Sequence, residues 1–178
     1  MKNIKEFIIE KFRINKENSK KIYPKDLLEL RKIIRERLEK DTNADLNDID
    51  TSEITDMENL FVGLTPVEID ISEWDVSKVK SMKGMFNDCR YLKSTGDLGN
   101  WNISSLKDTS FMFNNCRILK NIGDLSKWDI SNIETMKCMF QRCTSIKTIG
   151  DITHWKLPNS NYDVFDISPI KPQPPQRI

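Results

Sequence analysis

Tryptophan returns every 27 residues in this chain, at Trp74, Trp101, Trp128 and Trp155. The pairs Met85-Phe86, Met112-Phe113 and Met139-Phe140 keep the same spacing, as do Cys89, Cys116 and Cys143. So do Ser77, Ser104 and Ser131, and the pairs Gly96-Asp97, Gly123-Asp124 and Gly150-Asp151. A degenerate copy precedes them, with Ile49 at the Trp position, Ser52 at the Ser position and Met57, Leu60 and Phe61 where Met82, Met85 and Phe86 lie. A unit this short cannot bury its apolar face alone, so each copy must be covered by the next. That requirement constrains the fold more than any other feature of the sequence.

Within one unit, "VEIDISEW" alternates apolar and polar residues, which predicts a strand with Val67, Ile69 and Ile71 on one side. Ser77 then stands where a helix N-cap belongs, and Val79, Met82, Met85 and Phe86 follow at helical spacing. Ser131 with Glu134 reads as a capping box. The expected fold class is therefore an α/β solenoid, a leucine-rich-repeat-like stack of short parallel strands and short helices. Residues 1–45 are expected to form an N-terminal helical cap, with Ile4, Phe7, Ile8 and Phe12, then Leu27, Leu30, Ile34 and Leu38 at helical spacing. Residues 46–160 carry the repeats, and residues 161–178 form a Pro-rich tail.

Charge is distributed unevenly behind a net value of +1. Residues 1–40 hold 13 Lys/Arg against 7 Asp/Glu, whereas residues 41–70 hold 9 acids and no base. Such asymmetry suits steering between protein surfaces better than general polyanion binding. No run approaches the roughly 18 apolar residues of a membrane span, and Glu6 and Glu10 interrupt any signal-like segment. A cytoplasmic location with reduced cysteines is the expectation.

The segments "DISEWDVSKVKSMKGMF", "DLGNWNISSLKDTSFMF" and "DLSKWDISNIETMKCMF" resemble the BspA-like leucine-rich repeat, also described as the mycoplasma-type repeat of unknown function. The resemblance covers about residues 46–157. It implies a concave sheet used for protein contacts; many relatives are surface proteins, and others occur in phages and mobile elements.

Asp70, Asp97, Asp124 and Asp151 all stand four residues before the Trp. Three roles fit such a column: anchoring backbone within each turn, forming an acidic stripe for a basic partner, or sharing a hard cation. The cysteine column reads as buried thiols, because paired spacing for zinc is missing. The residues before each Trp vary between copies, which marks Asn100, Lys127 and His154 as contact candidates. The expected partner-binding set is Glu68, Asp70, Asp97, Asp124, Asp151, Asn100, Lys127 and His154. No nucleophile–base pair or phosphate-cradling loop stands out, so a non-enzyme without cofactor or metal is expected. The leading expectation is an intracellular protein-binding module with a basic partner, such as a phage or mobile-element inhibitor of a host defence machine. An adhesion protein is one alternative; a nucleic-acid binder using Arg31, Lys32, Arg35 and Arg37 is the other.

Overall fold

The computed structural model describes residues 21–158 and 163–170. The first expected helix of the cap lies outside them, as does most of the Pro-rich tail. In chain order the regular elements are helix α1 (Leu27–Leu38), strands β1 (Asn43–Asp45) and β2 (Glu68–Asp70), and a single 3-10 turn at Leu125–Lys127. Strands β1 and β2 pair in parallel, with Asn43 opposite Glu68 and Asp45 opposite Asp70.

This overturns the α/β solenoid of strand-and-helix units. Among the described residues there is one α-helix and one two-stranded sheet, and the repeats contain no α-helix, only the 3-10 turn at Leu125–Lys127. The expected N-cap Ser77 instead donates its backbone N–H to Asp75 Oδ1 at 2.9 Å, closing a side-chain turn. The capping box fails likewise. Ser131 donates its N–H to Asp129 Oδ1 at 3.0 Å, and Glu134 pairs with Lys107 at 3.5 Å.

In place of a helix, each repeat runs through overlapping turns. Met85 N–H donates to Met82 O, Asn87 to Gly84 O and Cys89 to Phe86 O, each three residues back. Between them, Met82, Gly84, Phe86 and Asp88 donate to Asp108, Ser110, Met112 and Asn114 of the next repeat. A left-handed residue recurs within each run, at Gly84 and Asp88, Phe111 and Asn115, and Cys138 and Arg142. These positive φ values, from 56° to 63°, stop the backbone continuing as an α-helix.

Parallel bridges tie the repeats at equivalent positions, through Asp56, Ser81, Asp108 and Thr135 on one line and Glu68, Ser94 and Asn121 on another. Between the lines lies the core. Phe61, Phe86, Phe113, Phe140 and Phe165 form a column of stacked rings, with successive centroids 4.6, 5.2, 5.4 and 5.7 Å apart. Trp74, Trp101 and Trp128 are buried, and their indole N–H groups donate to Leu46 O, Ile71 O and Leu98 O. Trp155 is buried too, but its Nε1 has no protein partner among the described residues.

Helix α1 covers the first repeat with Leu30, Ile34 and Leu38. Asp26 caps it, accepting from Glu29 N–H at 2.9 Å, while Glu29 accepts from Lys25 N–H. Arg31 clamps the helix down by donating to the carbonyls of Asn59, Leu60 and Val62. Arg37 pairs with Asp48 at 2.5 Å.

Candidate functional site

Side by side, β1 and β2 form the floor of a shallow groove of about 330 Å³, lined by Asn43, Asp45, Glu68, Asp70, Ser94 and Gly96 together with Ala44 and Ile69. Strand alternation explains the lining. Ile69 is buried, so the flanking Glu68 and Asp70 turn outward. The parallel register then sets Asp45 beside Asp70. Three carboxylates share one small surface, and Lys93 Nζ approaches Glu68 Oε1 at 3.9 Å from the rim.

Of the acids expected from the sequence, the groove gathers Glu68 and Asp70 and leaves out Asp97, Asp124 and Asp151. Asp45 was not among the candidates. Its signal was present, because it stands four residues before Ile49, the degenerate Trp position.

The whole Asp column anchors backbone. Asp70 Oδ1 accepts from Ser72 N–H at 3.0 Å and from the Ser72 hydroxyl at 2.7 Å. Asp97 accepts from Gly99 N–H at 2.8 Å, Asp124 from Ser126 N–H at 2.9 Å, and Asp151 from Thr153 N–H at 3.0 Å. Donation by the Ser126 N–H and hydroxyl holds the Asp124 carboxyl below its ordinary range; the same groups of Thr153 do so for Asp151. The first three carboxylates of the column also explain the glycine of the next repeat, at Gly96, Gly123 and Gly150. Gly123 has φ +85°, and a Cβ there would run into Asp97 Oδ1. The turn-anchoring role is therefore met at every position, and at Asp70 it coexists with a place in the groove.

A second anchoring column went unread in the sequence. Asp50, Asp75 and Asp129 accept from the N–H groups of Ser52, Ser77 and Ser131, and Asn102 does the same for Ser104 at 3.2 Å. The serines that suggested helix caps are the far ends of these turns.

The variable positions fall elsewhere. Lys127 Nζ donates to Asn100 Oδ1 at 3.3 Å across neighbouring repeats, and both side chains are exposed. His154 is exposed near Asp129 and Asp151, where its charge would favour both carboxylates. Neither group reaches the β1–β2 groove.

Cys89, Cys116 and Cys143 are buried free thiols, and each donates its S–H to the carbonyl of a phenylalanine in the ring column. Burial pushes the Cys89 and Cys143 thiols up to about 12, so neither supplies a thiolate at neutral pH. Among the described residues no group of three His, Cys, Asp or Glu is placed to hold a metal ion. No helix there is long and apolar enough to cross a membrane. On α1, Arg31 and Arg37 are engaged within the molecule and Lys32 lies 3.9 Å from Glu36. The basic helix thus presents less free charge than its composition suggested.

Residues 29–155 match the family model described as "Mycoplasma protein of unknown function, DUF285", and the chain belongs to that family. No curated protein and no solved structure matches it.

Proposed function

We propose that this chain is a non-enzymatic protein-binding module that works inside the cell and docks a basic protein surface on the β1–β2 groove. The observation that carries the reading is the convergence of Asp45, Glu68 and Asp70 on one exposed surface within a segment that holds no base. Clustered carboxylates raise the encounter rate with a positively charged surface, and salt suppresses that gain. The finer kinship with BspA-like repeats belongs to the same proposal. So does the biological setting, a phage or mobile-element product that blocks a host machine such as a defence system.

The test must remove charge without removing the turns. Asn keeps the acceptor oxygen that Asp supplies, as Asn102 does in its own turn. The triple variant Asp45→Asn, Glu68→Gln, Asp70→Asn should therefore melt near the wild type. In a pull-down from the native host at low salt, the full chain is expected to retain a basic protein that the triple variant loses. Equal retention by a normally folded triple variant would overturn the acidic-groove reading.

A further inference from the structure

Residues 163–170 extend the stack by half a rung. Phe165 stacks on Phe140 at 5.7 Å, and Phe140 and Arg142 donate their N–H groups to Val164 O and Asp166 O. Val164-Phe165 thus stands where Met139-Phe140 stands one repeat earlier, and Ile170 takes the corner place of Leu92, Leu119 and Ile146. Like them it is buried, at 6% exposure. A lysine follows each of the four, at Lys93, Lys120, Lys147 and Lys171. The corner from Phe165 to Ile170 is one residue shorter than in the middle repeats, and the first repeat has the same short corner from Phe61 to the buried Pro66. There Leu64 N–H donates to Phe61 O, as Ser168 N–H does to Phe165 O, and strand β2 begins two residues after Pro66.

The strand side of the rung beneath is open. Along the stack, Ile71 N–H donates to Thr95 O, Leu98 N–H to Ile122 O and Leu125 N–H to Ile149 O. Ile152 comes next in that series and is buried, yet its N–H has no protein partner among the described residues. Thr95, Ile122 and Ile149 each stand three residues after their buried corner residue. Their counterpart after Ile170 is Gln173.

We propose that the open rung is a strand-addition site whose occupant is this chain's own tail, with residues 171–174 laid parallel on residues 147–150 and Gln173 O accepting the Ile152 N–H. Main-chain bonds of this kind are how an extended segment joins an exposed edge. Proline suits such a terminal rung. It keeps the carbonyl that the rung beneath needs and lacks the N–H that a further rung would need, so it is confined to edge strands. Lys171 and Gln173 each precede a proline, which favours extended backbone at both. Prolines at 172, 174 and 175 leave Gln173 as the one residue of that run with an N–H to offer, which blunts the edge against another chain. Lys171 comes beside Lys147 in this register, as Lys120 comes beside Lys93, whose carbonyl accepts the Lys120 N–H. Like charges set opposite one another weaken the addition without forbidding it.

Amide hydrogen exchange followed by NMR tests the register. In the full chain the Ile152 N–H is expected to exchange at least about 100-fold more slowly than an unpaired amide. In a chain lacking residues 171–178 it should exchange at least about tenfold faster than in the full chain, while Leu125, bonded to Ile149 O, keeps its rate. Full-length Lys171→Glu sets an acid opposite Lys147 and should slow Ile152 exchange by a further two- to fivefold or so at low salt. Free exchange of Ile152 in the full chain overturns the proposal. So does an Ile152 rate that is the same with and without the tail while Leu125 stays protected. Where loss of the tail also unprotects Leu125, Lys171→Glu decides, and an Ile152 rate unchanged by that substitution overturns the proposal.

Discussion

Helix α1 and the turn run from Val79 to Cys89 carry apolar side chains at nearly the same spacing, and they settle their backbone bonds in different ways. In α1, the helical ladder is closed within the segment and finished by Asp26 and Glu29 at one end. In the turn run, the N–H groups of Met82, Gly84, Phe86 and Asp88 go to the next repeat, and those of Met85, Asn87 and Cys89 stay local. The helix buries one stripe, Leu30, Ile34 and Leu38, and leaves Leu28 exposed. The turn run buries Val79, Met82, Met85, Phe86 and Cys89 and draws its order from its neighbours. A segment that exports half its backbone bonds cannot be stable alone, and removing one of its members loosens the repeats on both sides.

The largest expected effect follows from that dependence. Phe113 is fully buried and stacks on Phe86 and Phe140 at once. Phe113→Ala should cost about 3–5 kcal/mol in denaturant unfolding, the usual range for deleting a buried aromatic ring. Phe165 ends the column, is half-buried and meets only Phe140 among the ring contacts of the described residues. Phe165→Ala should therefore cost clearly less. If the two variants are equally destabilised, the column does not transmit support from repeat to repeat.

How much of this was legible in the sequence follows from the same contrast. The 27-residue register named the buried Trp, Met-Phe and Cys positions, because core residues of a repeat recur with it. The spacing of Leu27, Leu30, Ile34 and Leu38 pointed to α1, whose ladder is local. Residues "VEIDISEW" pointed to β2, whose alternation is local too. The helix expected after Ser77 failed for two reasons. Apolar residues three and four apart also suit a run of turns that keeps returning side chains to the same side. Moreover, three of the six left-handed positions that break the helix are occupied by Phe111, Cys138 and Arg142, which give no sign of the conformation; only Gly84, Asp88 and Asn115 are residue types that adopt it readily. The bonds that compensate reach residues about a repeat away, where no local rule looks. At the groove, Glu68 and Asp70 were readable from strand alternation. Asp45 was obscured because its repeat lacks the Trp.

Glycine substitution should split the two regions by sign. Arg142 is exposed, holds φ +60° and donates its N–H to Asp166 O. Arg142→Gly keeps that bond and relieves a left-handed conformation that costs an L-residue about 1–2 kcal/mol, offset in part by the greater freedom of glycine when unfolded. The net expectation is a small gain, up to about 1 kcal/mol. Lys32 sits exposed in the interior of α1, and Lys32→Gly should lose about 1 kcal/mol by propensity alone. Thermal melts of the two variants against wild type give the comparison. A loss at Arg142 as large as that at Lys32 would show that the positive φ there is not strained.

The smallest effect concerns how the turns are satisfied. Helix α1 closes its interior bonds on its own carbonyls, whereas the turn at Asp124 relies on a titratable carboxylate that accepts from Ser126 N–H at 2.9 Å. Because that carboxyl is held below its ordinary value, its contribution is fully present above the unfolded pKa of about 3.9 and is lost as pH falls through the lower folded value. Asp124→Asn keeps an acceptor oxygen in the turn and has nothing to titrate. At pH 7 its melting temperature should lie within about 2 °C of wild type, on the low side, because a charged acceptor bonds more strongly than a neutral one. Below about pH 4 the wild type loses that advantage and the two melting temperatures should converge. The check is a series of melts from pH 7 down to about pH 2.5. A difference that persists unchanged through the acid range would mean that the carboxylate charge adds nothing to the turn and that geometry alone holds it.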